Sequence, residues 1–589
     1  MRITKLTLTN FRSFKEAQTI EIAPITLLFG PNSVGKSSVL MALFYLQQII
    51  EKGQCNPQRL EALGNKLVGG FKNLVNGRDL SKSIVIRVDY DKNGAIGKTY
   101  GKSLALLEES STMHEVSLLL QDQAVSTERV GLEFVVSWSK AKKTAYVQTL
   151  KVWLNDVFIC ETFCDDGFKN PLITHLNLSH SLLLPSDHDE WLENVIEEGE
   201  DDIWSGWSNT IIDNYDGVDQ VHFSDDGKIS RLHAELKDNQ IIGFKAIAGA
   251  LPKANTLLET TVSHDDTVIA ANIEEALSEI LVSPLDNLLS ILNDSVCIGP
   301  LRCIPDSSYL ASQYPRQADW YDGRASWDLL STPSLLRDAK INSWLADQDK
   351  LNLGYQLVYV TRDSETRFIT PSLDIERIED LIAINDAVPD QLVMSVSKED
   401  LNVNPDSDQS PLESEYIEDL RKSSDINSKF YVGQEIDKES YISLWDMRNK
   451  IPVSSSDIGV GISQLLPLIV ASQDDKKGIV ACEQPELHIH PRVQVGVGDL
   501  LIESSNDKTF LIETHSEHIV LRILRRIREN NQETTSPSFE SINPDQVSIT
   551  YLESTADGVI TKRLQITEDG DFENDWPNGF FDERDEELF

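Results

Sequence analysis

The sequence predicts an α/β protein in which one nucleotide-binding fold is split by a long insertion. Three observations carry that expectation. Gly30-Pro31-Asn32-Ser33-Val34-Gly35-Lys36-Ser37 fits G-x-x-x-x-G-K-[ST] in full, with a strand-like run before it and a helix-like run after it. Gly478-Ile479-Val480-Ala481-Cys482-Glu483 is a short apolar run ending in an acid, as a buried parallel strand would. These segments stand at opposite ends of the chain, and an insertion of roughly 250 residues of different character lies between them.

Taken in order, Ile3 to Leu8 and Ile20 to Phe29 read as strands, followed by a glycine turn at Gly30 and a helix from Lys36 to about Ile50. Ile84 to Tyr90, Gly131 to Trp138 and Thr144 to Phe158 read as strands of an antiparallel layer. Beyond Phe163 helical patterns alternate with acidic stretches between Asp187 and Asp226. Ser295 to Ile298 is again strand-like, and Asn402 to Glu413 is a polar loop. From Tyr441 the order is strand, loop, helix, strand, helix. No sustained heptads occur, so no long coiled coil is expected.

Composition sets the outer bounds. An apolar fraction of 40% excludes global disorder. Lys and Arg number 53 against 95 acids, a net charge of -42, which excludes a general nucleic-acid coat and favours a basic or protein partner. The six cysteines lack disulfide or zinc spacing and read as structural or free thiols. No apolar run reaches the roughly 18 residues of a membrane span, and the N-terminus lacks a signal peptide's apolar core. A cytoplasmic location and no membrane partner are therefore expected.

The phosphate loop has a physical logic. Backbone N–H groups from Asn32, Ser33, Val34 and Gly35 through Ser38 can wrap a β-phosphate, helped by the helix N-terminus. Lys36 neutralises β/γ oxygens, and the Ser37 hydroxyl is a Mg²⁺ ligand. At the other end, Glu483 is placed to hold the metal's water shell.

With Asn10-Phe11-Arg12-Ser13-Phe14 ahead of it, the loop resembles the opening of ABC-type ATPases of the SMC, RecF and OLD group. Gln484-Pro485-Glu486-Leu487-His488-Ile489-His490-Pro491 is similar to the E-x-P-E-x-H-L-H-P segment of the OLD-like members. The resemblance implies an ABC-type head, a mixed sheet with the P-loop plus an antiparallel β-layer, interrupted by a large, mainly helical insertion. The expected parts are residues 1–165, an insertion over 166–435, and 436–589. It also implies that ATP and Mg²⁺ bind, that Arg12 reaches the phosphates, and that His515, in Ile512-Glu513-Thr514-His515-Ser516, senses the γ-phosphate. A solvated surface arginine is the alternative for Arg12. Ser456-Asp457-Ile458-Gly459-Val460-Gly461-Ile462-Ser463 occupies the place of the ABC signature, departing from L-S-G-G-Q. Gly461 and Ser463 are the expected contacts to a γ-phosphate across a homodimer or higher oligomer.

One departure bears on chemistry. Where these ATPases carry a catalytic glutamate after the metal-binding acid, this chain has Gln484, which orients water but accepts no proton near neutral pH. Glu486 is the candidate replacement if its loop bends inward. Slow hydrolysis and a long-lived ATP-bound dimer are the forecast.

Ile298-Gly299-Pro300-Leu301-Arg302 and Trp576-Pro577-Asn578-Gly579-Phe580-Phe581-Asp582 are similar to a bacterial subfamily that includes ATPase subunits of Septu and retron antiphage systems. That resemblance implies an HNH-type effector nuclease as partner, and a reverse transcriptase with an RNA/DNA component if retron-linked. About seventy residues follow His515, too few for the TOPRIM nuclease domain of the OLD nucleases. A basic helix with Arg522, Arg525, Arg526 and Arg528 reads either as a contact to phosphates or an acidic partner, or as a face paired with neighbouring acids. Two further readings stay open: a RecF-like DNA repair ATPase, and a scaffold that keeps ATP as a structural ligand.

Overall fold

The computed structural model describes residues 1–100, 126–168, 171–177, 180, 242–262, 267–305, 309–332, 334–360, 441–453, 457–532 and 539–573, with short strand pieces at 222–223, 228–230 and 368–369. The acidic stretch expected between Asp187 and Asp226 (apart from 222–223), the polar loop from Asn402 to Glu413 and the Trp576 to Asp582 segment lie outside these residues.

The chain opens with an antiparallel pair, β1 (Arg2–Thr9) and β2 (Gln18–Glu21). It then crosses to a second sheet as β3 (Ile25–Phe29) and passes through residues 30–35 into α1 (Lys36–Lys52). Sequence pattern reads Ile20 to Phe29 as one strand; the structure makes two, in different sheets. Pro24 lies between them, and a residue without an N–H cannot continue a ladder.

The first sheet resumes beside β1 with β4 (Ile84–Asp91), β5 (Arg129–Ser139), β6 (Thr144–Leu154), β7 (Val157–Phe163) and β8 (Leu172–Asn177). With His222–Phe223 and Lys228–Ser230 it has nine strands, every neighbouring pair antiparallel. Burial alternates residue by residue along β4, the signature of a sheet with one face on the core. The strand expected over Thr144 to Phe158 is a hairpin. Asn155 (φ 50) and Asp156 (φ 67) both adopt the left-handed region, as the two-residue turn with the right twist requires.

Two helices, α2 (Thr267–Leu281) and α3 (Ser283–Asp294), lead into β9 (Val296–Ile298). Next come α4 (Arg324–Leu330) and α5 (Leu335–Ala346), then a small four-stranded sheet that includes Tyr355–Val360 and Tyr441–Asp446. The C-terminal part adds α6 (Val460–Gln473), β10 (Ile479–Glu483), α7 (Pro491–Ser504), β11 (Thr509–Glu513), α8 (Glu517–Asn531), β12 (Val547–Thr555) and β13 (Gly558–Leu564).

These complete a six-stranded sheet in the order β9-β10-β11-β3-β12-β13, parallel except for the last pair. Strands from both ends of the chain are thus neighbours, and β9, from within residues 166–435, forms its edge. Every residue of β3, β10 and β11 is buried, because both faces of the sheet are covered. Side chains alternate between two cores. Leu28, Ala481 and Leu511 pack with α1, α3 and the antiparallel sheet. Leu27, Val480, Cys482, Phe510 and Ile512 pack on the other side, with residues from α4 to α8. The same parity puts Glu483 and Glu513, two residues beyond Ala481 and Leu511, on the α1 side. That is what builds the site.

α1 is buried almost all round from Ser38 to Ile50, as expected of a helix between two sheets. At 17 residues it is the longest helix among the described residues. All six cysteines are free, and five are buried.

Candidate nucleotide site

The loop between β3 and α1 is pressed into place from two sides. Gly30 (φ 139) lies so close to β12 that a Cβ would stand 2.3 Å from the Leu552 carbonyl oxygen. Gly35 (φ 126) lies against the turn before β2, and its Cβ would stand 2.2 Å from Ser13 Oγ. Both positions need glycine for space and for φ. Asn32 and Ser33 are exposed, whereas Val34 and Ser38 are buried and anchor the loop. No side chain caps α1, and its first turn carries no acid. Its N-terminus is therefore open to an anion.

Lys36 is 2% exposed, and its Nζ donates to Gly30 O (2.8 Å) and Pro31 O (3.0 Å). It also stands 3.2 Å from His515 Nε2. An ammonium only donates, so Nε2 accepts and the ring proton sits on Nδ1. Burial, then the Lys36 charge, pushes the His515 pKa below its ordinary value and keeps the imidazole neutral. The sequence-expected lysine and switch histidine therefore meet, although 479 positions separate them.

Ser37 stands between two carboxylates. Its Oγ is 2.7 Å from Glu513 Oε2 and 3.2 Å from Glu483 Oε2. Glu483 also accepts from the Tyr321 hydroxyl (3.3 Å) and has Lys66 Nζ at 3.9 Å, while Lys66 donates to the Tyr321 oxygen (3.0 Å). Burial raises the Glu513 pKa, as do the charges of Glu483 and Glu486, against the Ser37 hydrogen bond and Lys36. Glu513, Lys66 and Tyr321 escaped the sequence reading. Glu513 follows a short apolar run, Phe510 to Ile512, as Glu483 follows one, but nothing in the sequence pairs it with Ser37.

Gln484 turns the chain off β10 with a left-handed φ of 48°, and its N–H donates to Glu513 O (2.7 Å). Glu486 does approach the site. One carboxylate oxygen accepts from Thr514 Oγ1 (2.8 Å), and the other accepts from the His515 main-chain N–H (2.8 Å). In this arrangement it fastens the loop that carries the histidine.

The segment compared with the ABC signature forms the start of α6. Gly461 is half-buried, and its Cβ would stand 2.6 Å from His488 O. Ser463 is fully buried, with no hydrogen-bond partner for its Oγ. Exposure at this end belongs to Gly459 and Val460 instead. The following Gln464 is held by Arg302. The Gln464 amide donates to Arg302 O (2.9 Å), and the guanidinium reaches Gln464 O, Gly299 O (2.9 Å), Cys482 Sγ (3.2 Å) and Glu483 O (2.9 Å). Arg12 is exposed beside α1, with Nη1 3.2 Å from Met41 Sδ.

The arginines of α8 are engaged by acids of this chain. Arg526 pairs with Asp499 (2.8 Å) and Glu529 (2.6 Å), Arg525 with Glu529 (2.7 Å), Arg528 with Asp571 (2.8 Å), and Arg522 with Asp499 (3.6 Å). This is the paired-face reading of that helix.

The donors around Ser37 suit a hard divalent cation, since all are oxygens. Among the described residues no group of three or more His, Cys, Asp or Glu side chains is arranged to hold a metal. A cation here relies on Ser37 and on ligand or water oxygens, as Mg²⁺ at nucleotide sites does.

A P-loop at the C-terminal edge of a parallel strand, with two carboxylates and a histidine converging on it, defines a nucleotide-binding P-loop protein. The chain belongs to the family described as AAA ATPase domain, whose model matches residues 1–247 and 372–520, about two thirds of its length. A second model, for proteins of unknown function (DUF3696), matches residues 542–589. The DNA replication and repair protein RecF of Desulforamulus reducens is 49% identical over 45 residues, which span 8% of this chain and 12% of that protein. Among solved structures, the SMC head domain from Thermotoga maritima gives a TM-score of 0.32 at 8% identity, over 96% of this chain and 100% of that one. An SmcHead bound to the C-winged helix domain of ScpA gives 0.36 at 10%, over 96% and 99%. Among the described residues no helix is long and apolar enough to cross a membrane.

Proposed function

We propose that this chain is an ATP-driven switch that binds Mg·ATP at Lys36, Ser37 and Glu483 and hydrolyses it slowly. The observation that carries this reading is the state of the two candidate catalytic groups. Gln484 is an amide, and each oxygen of Glu486 accepts a hydrogen bond, one from Thr514 Oγ1 and one from the His515 N–H. The amide takes no proton from water near neutral pH, and the Glu486 carboxylate is engaged in holding the segment that carries His515. Lys36 meanwhile rests on loop carbonyls, which phosphate oxygens would replace. Mg²⁺ would supply charge neutralisation at the β/γ-phosphates. On this reading His515, neutral and in contact with Lys36, registers whether a terminal phosphate is present.

The output of the switch, on this proposal, is a homodimer or higher oligomer closed through the exposed start of α6, where Gly459, Val460 and Gly461 can present backbone N–H groups to a second nucleotide. By resemblance of the Ile298 to Arg302 and Trp576 to Asp582 segments, the dimer restrains or releases an HNH-type effector nuclease in antiphage defence. A second reading, a RecF-like repair ATPase acting on DNA, is favoured by the 45-residue match to RecF. Co-expression with its genomic neighbours separates the two. Toxicity of an adjacent nuclease that depends on this chain and on Lys36 supports the effector role. A DNA-damage phenotype with no toxic neighbour supports repair.

A further inference from the structure

Glu513 belongs to neither the P-loop nor the segment around Glu483, yet it makes the shortest contact to Ser37 in the site. We propose that Glu513 is a second protein carboxylate on the nucleotide's divalent cation, joining Ser37 and Glu483 and supplying the negative charge that Gln484 lacks. The inference rests on the Mg·ATP reading above and deepens it.

Register is the first argument. Glu483 and Glu513 are direct partners across β10 and β11, and both side chains fall on the α1 side of the sheet. The pairing aims both at one point, the α1 N-terminus. Spacing is the second. Cis ligands of an octahedral ion with bonds of about 2.1 Å lie about 3 Å apart. The two separations measured from Ser37 Oγ, 2.7 and 3.2 Å, bracket that edge.

Charge is the third argument. Glu483 and Glu513 are 7% and 8% exposed, and Glu486 stands close enough to add to their repulsion. The nearest cation to Glu513 is Lys36 at 3.9 Å, and that ammonium is already held by two carbonyls. Buried carboxylates so arranged need a cation or a proton.

The test uses the full chain and Mn²⁺ as the spectroscopic probe. Mn²⁺ binding is followed by electron paramagnetic resonance with ADP present, for wild type, Glu513→Gln and Glu483→Gln. Nucleotide affinity in EDTA and thermal unfolding with and without Mg·ADP accompany it. Glu513→Gln should weaken Mn²⁺ on the order of tenfold or more. It should leave nucleotide affinity in EDTA within about twofold. Metal-free melting should rise, because a repelled carboxylate is gone, and the increment from Mg·ADP should shrink. Mn²⁺ affinity unchanged in Glu513→Gln but weakened in Glu483→Gln would overturn the proposal. A lower melting temperature in EDTA with unchanged Mn²⁺ affinity would also do so, and would make Glu513 a structural partner of Lys36. If wild type binds nucleotide in EDTA yet shows no ADP-dependent Mn²⁺ signal, the cation reading of the site falls instead.

Discussion

Glu486 holds the main-chain N–H of His515 at 2.8 Å, and with it the loop that brings the imidazole to Lys36. The Glu486 carboxylate is thereby tied to the segment that carries His515. Glu486→Gln keeps an acceptor for that N–H and should cost little stability. Glu486→Ala leaves two donors without their partner, a loss of about 1–3 kcal/mol, and releases His515. Turnover and thermal unfolding of both variants check this. Loss of turnover in Glu486→Gln as deep as in Glu486→Ala, at intact stability, would show the carboxylate itself doing chemistry.

His515 gives stability a pH dependence of known sign. Its pKa is lowered in the folded chain, so below about pH 6.5 the unfolded chain takes up a proton that the folded site resists. Stability through this group is present at higher pH and falls as pH drops toward the lowered value. Glu513, raised in the fold, acts in the opposite sense over more acidic pH. The difference between wild type and His515→Gln isolates the histidine. That difference should narrow from pH 7.5 to 5.5 in metal-free buffer.

Gly35→Ala should damage the site at its base. The added methyl meets Ser13 Oγ at 2.2 Å, at a backbone φ of 126°. We expect a cost of at least about 2 kcal/mol and a strong loss of nucleotide binding. Ser13→Gly removes the clashing hydroxyl and should recover part of the stability, whereas φ strain persists.

Arg302 and Gln464 join the start of α6 to the end of β10, two places expected to serve different nucleotides in a closed dimer. Arg302 is 5% exposed and Gln464 6%, and each bonds the other's main chain. Arg302→Met should cost about 3 kcal/mol or more, since several carbonyls lose their donor. A double-mutant cycle with Gln464→Leu should return a coupling of about 0.5–3 kcal/mol. Additivity would show that the two ends are not linked through this pair.

The nucleotide loop was legible because its meaning is local: eight consecutive residues carry the turn, the cation and the hydroxyl. Glu483, Glu486 and His515 were legible through the strings around them. Glu513 was not, because a carboxylate ending a strand has no partner in sequence; only the order β10-β11-β3 brings it to Ser37. Lys66, Tyr321 and Arg302 are further cases, since their roles arise from packing between distant segments. Ser463 shows the reverse. Its position in the string suggested a contact across a dimer, while the helix turns that side chain into the core. Two strand boundaries failed for local reasons, Pro24 ending a ladder and Asn155-Asp156 making a turn inside an apolar run.

The most direct measurement is ATP binding and turnover by the purified chain in Mg²⁺, with Lys36→Ala alongside and mass determined with and without ATP. The account predicts tight binding lost in Lys36→Ala, a mass increase on adding ATP, and turnover slower than about one per minute. Turnover of many ATP per second without any change in mass would contradict it.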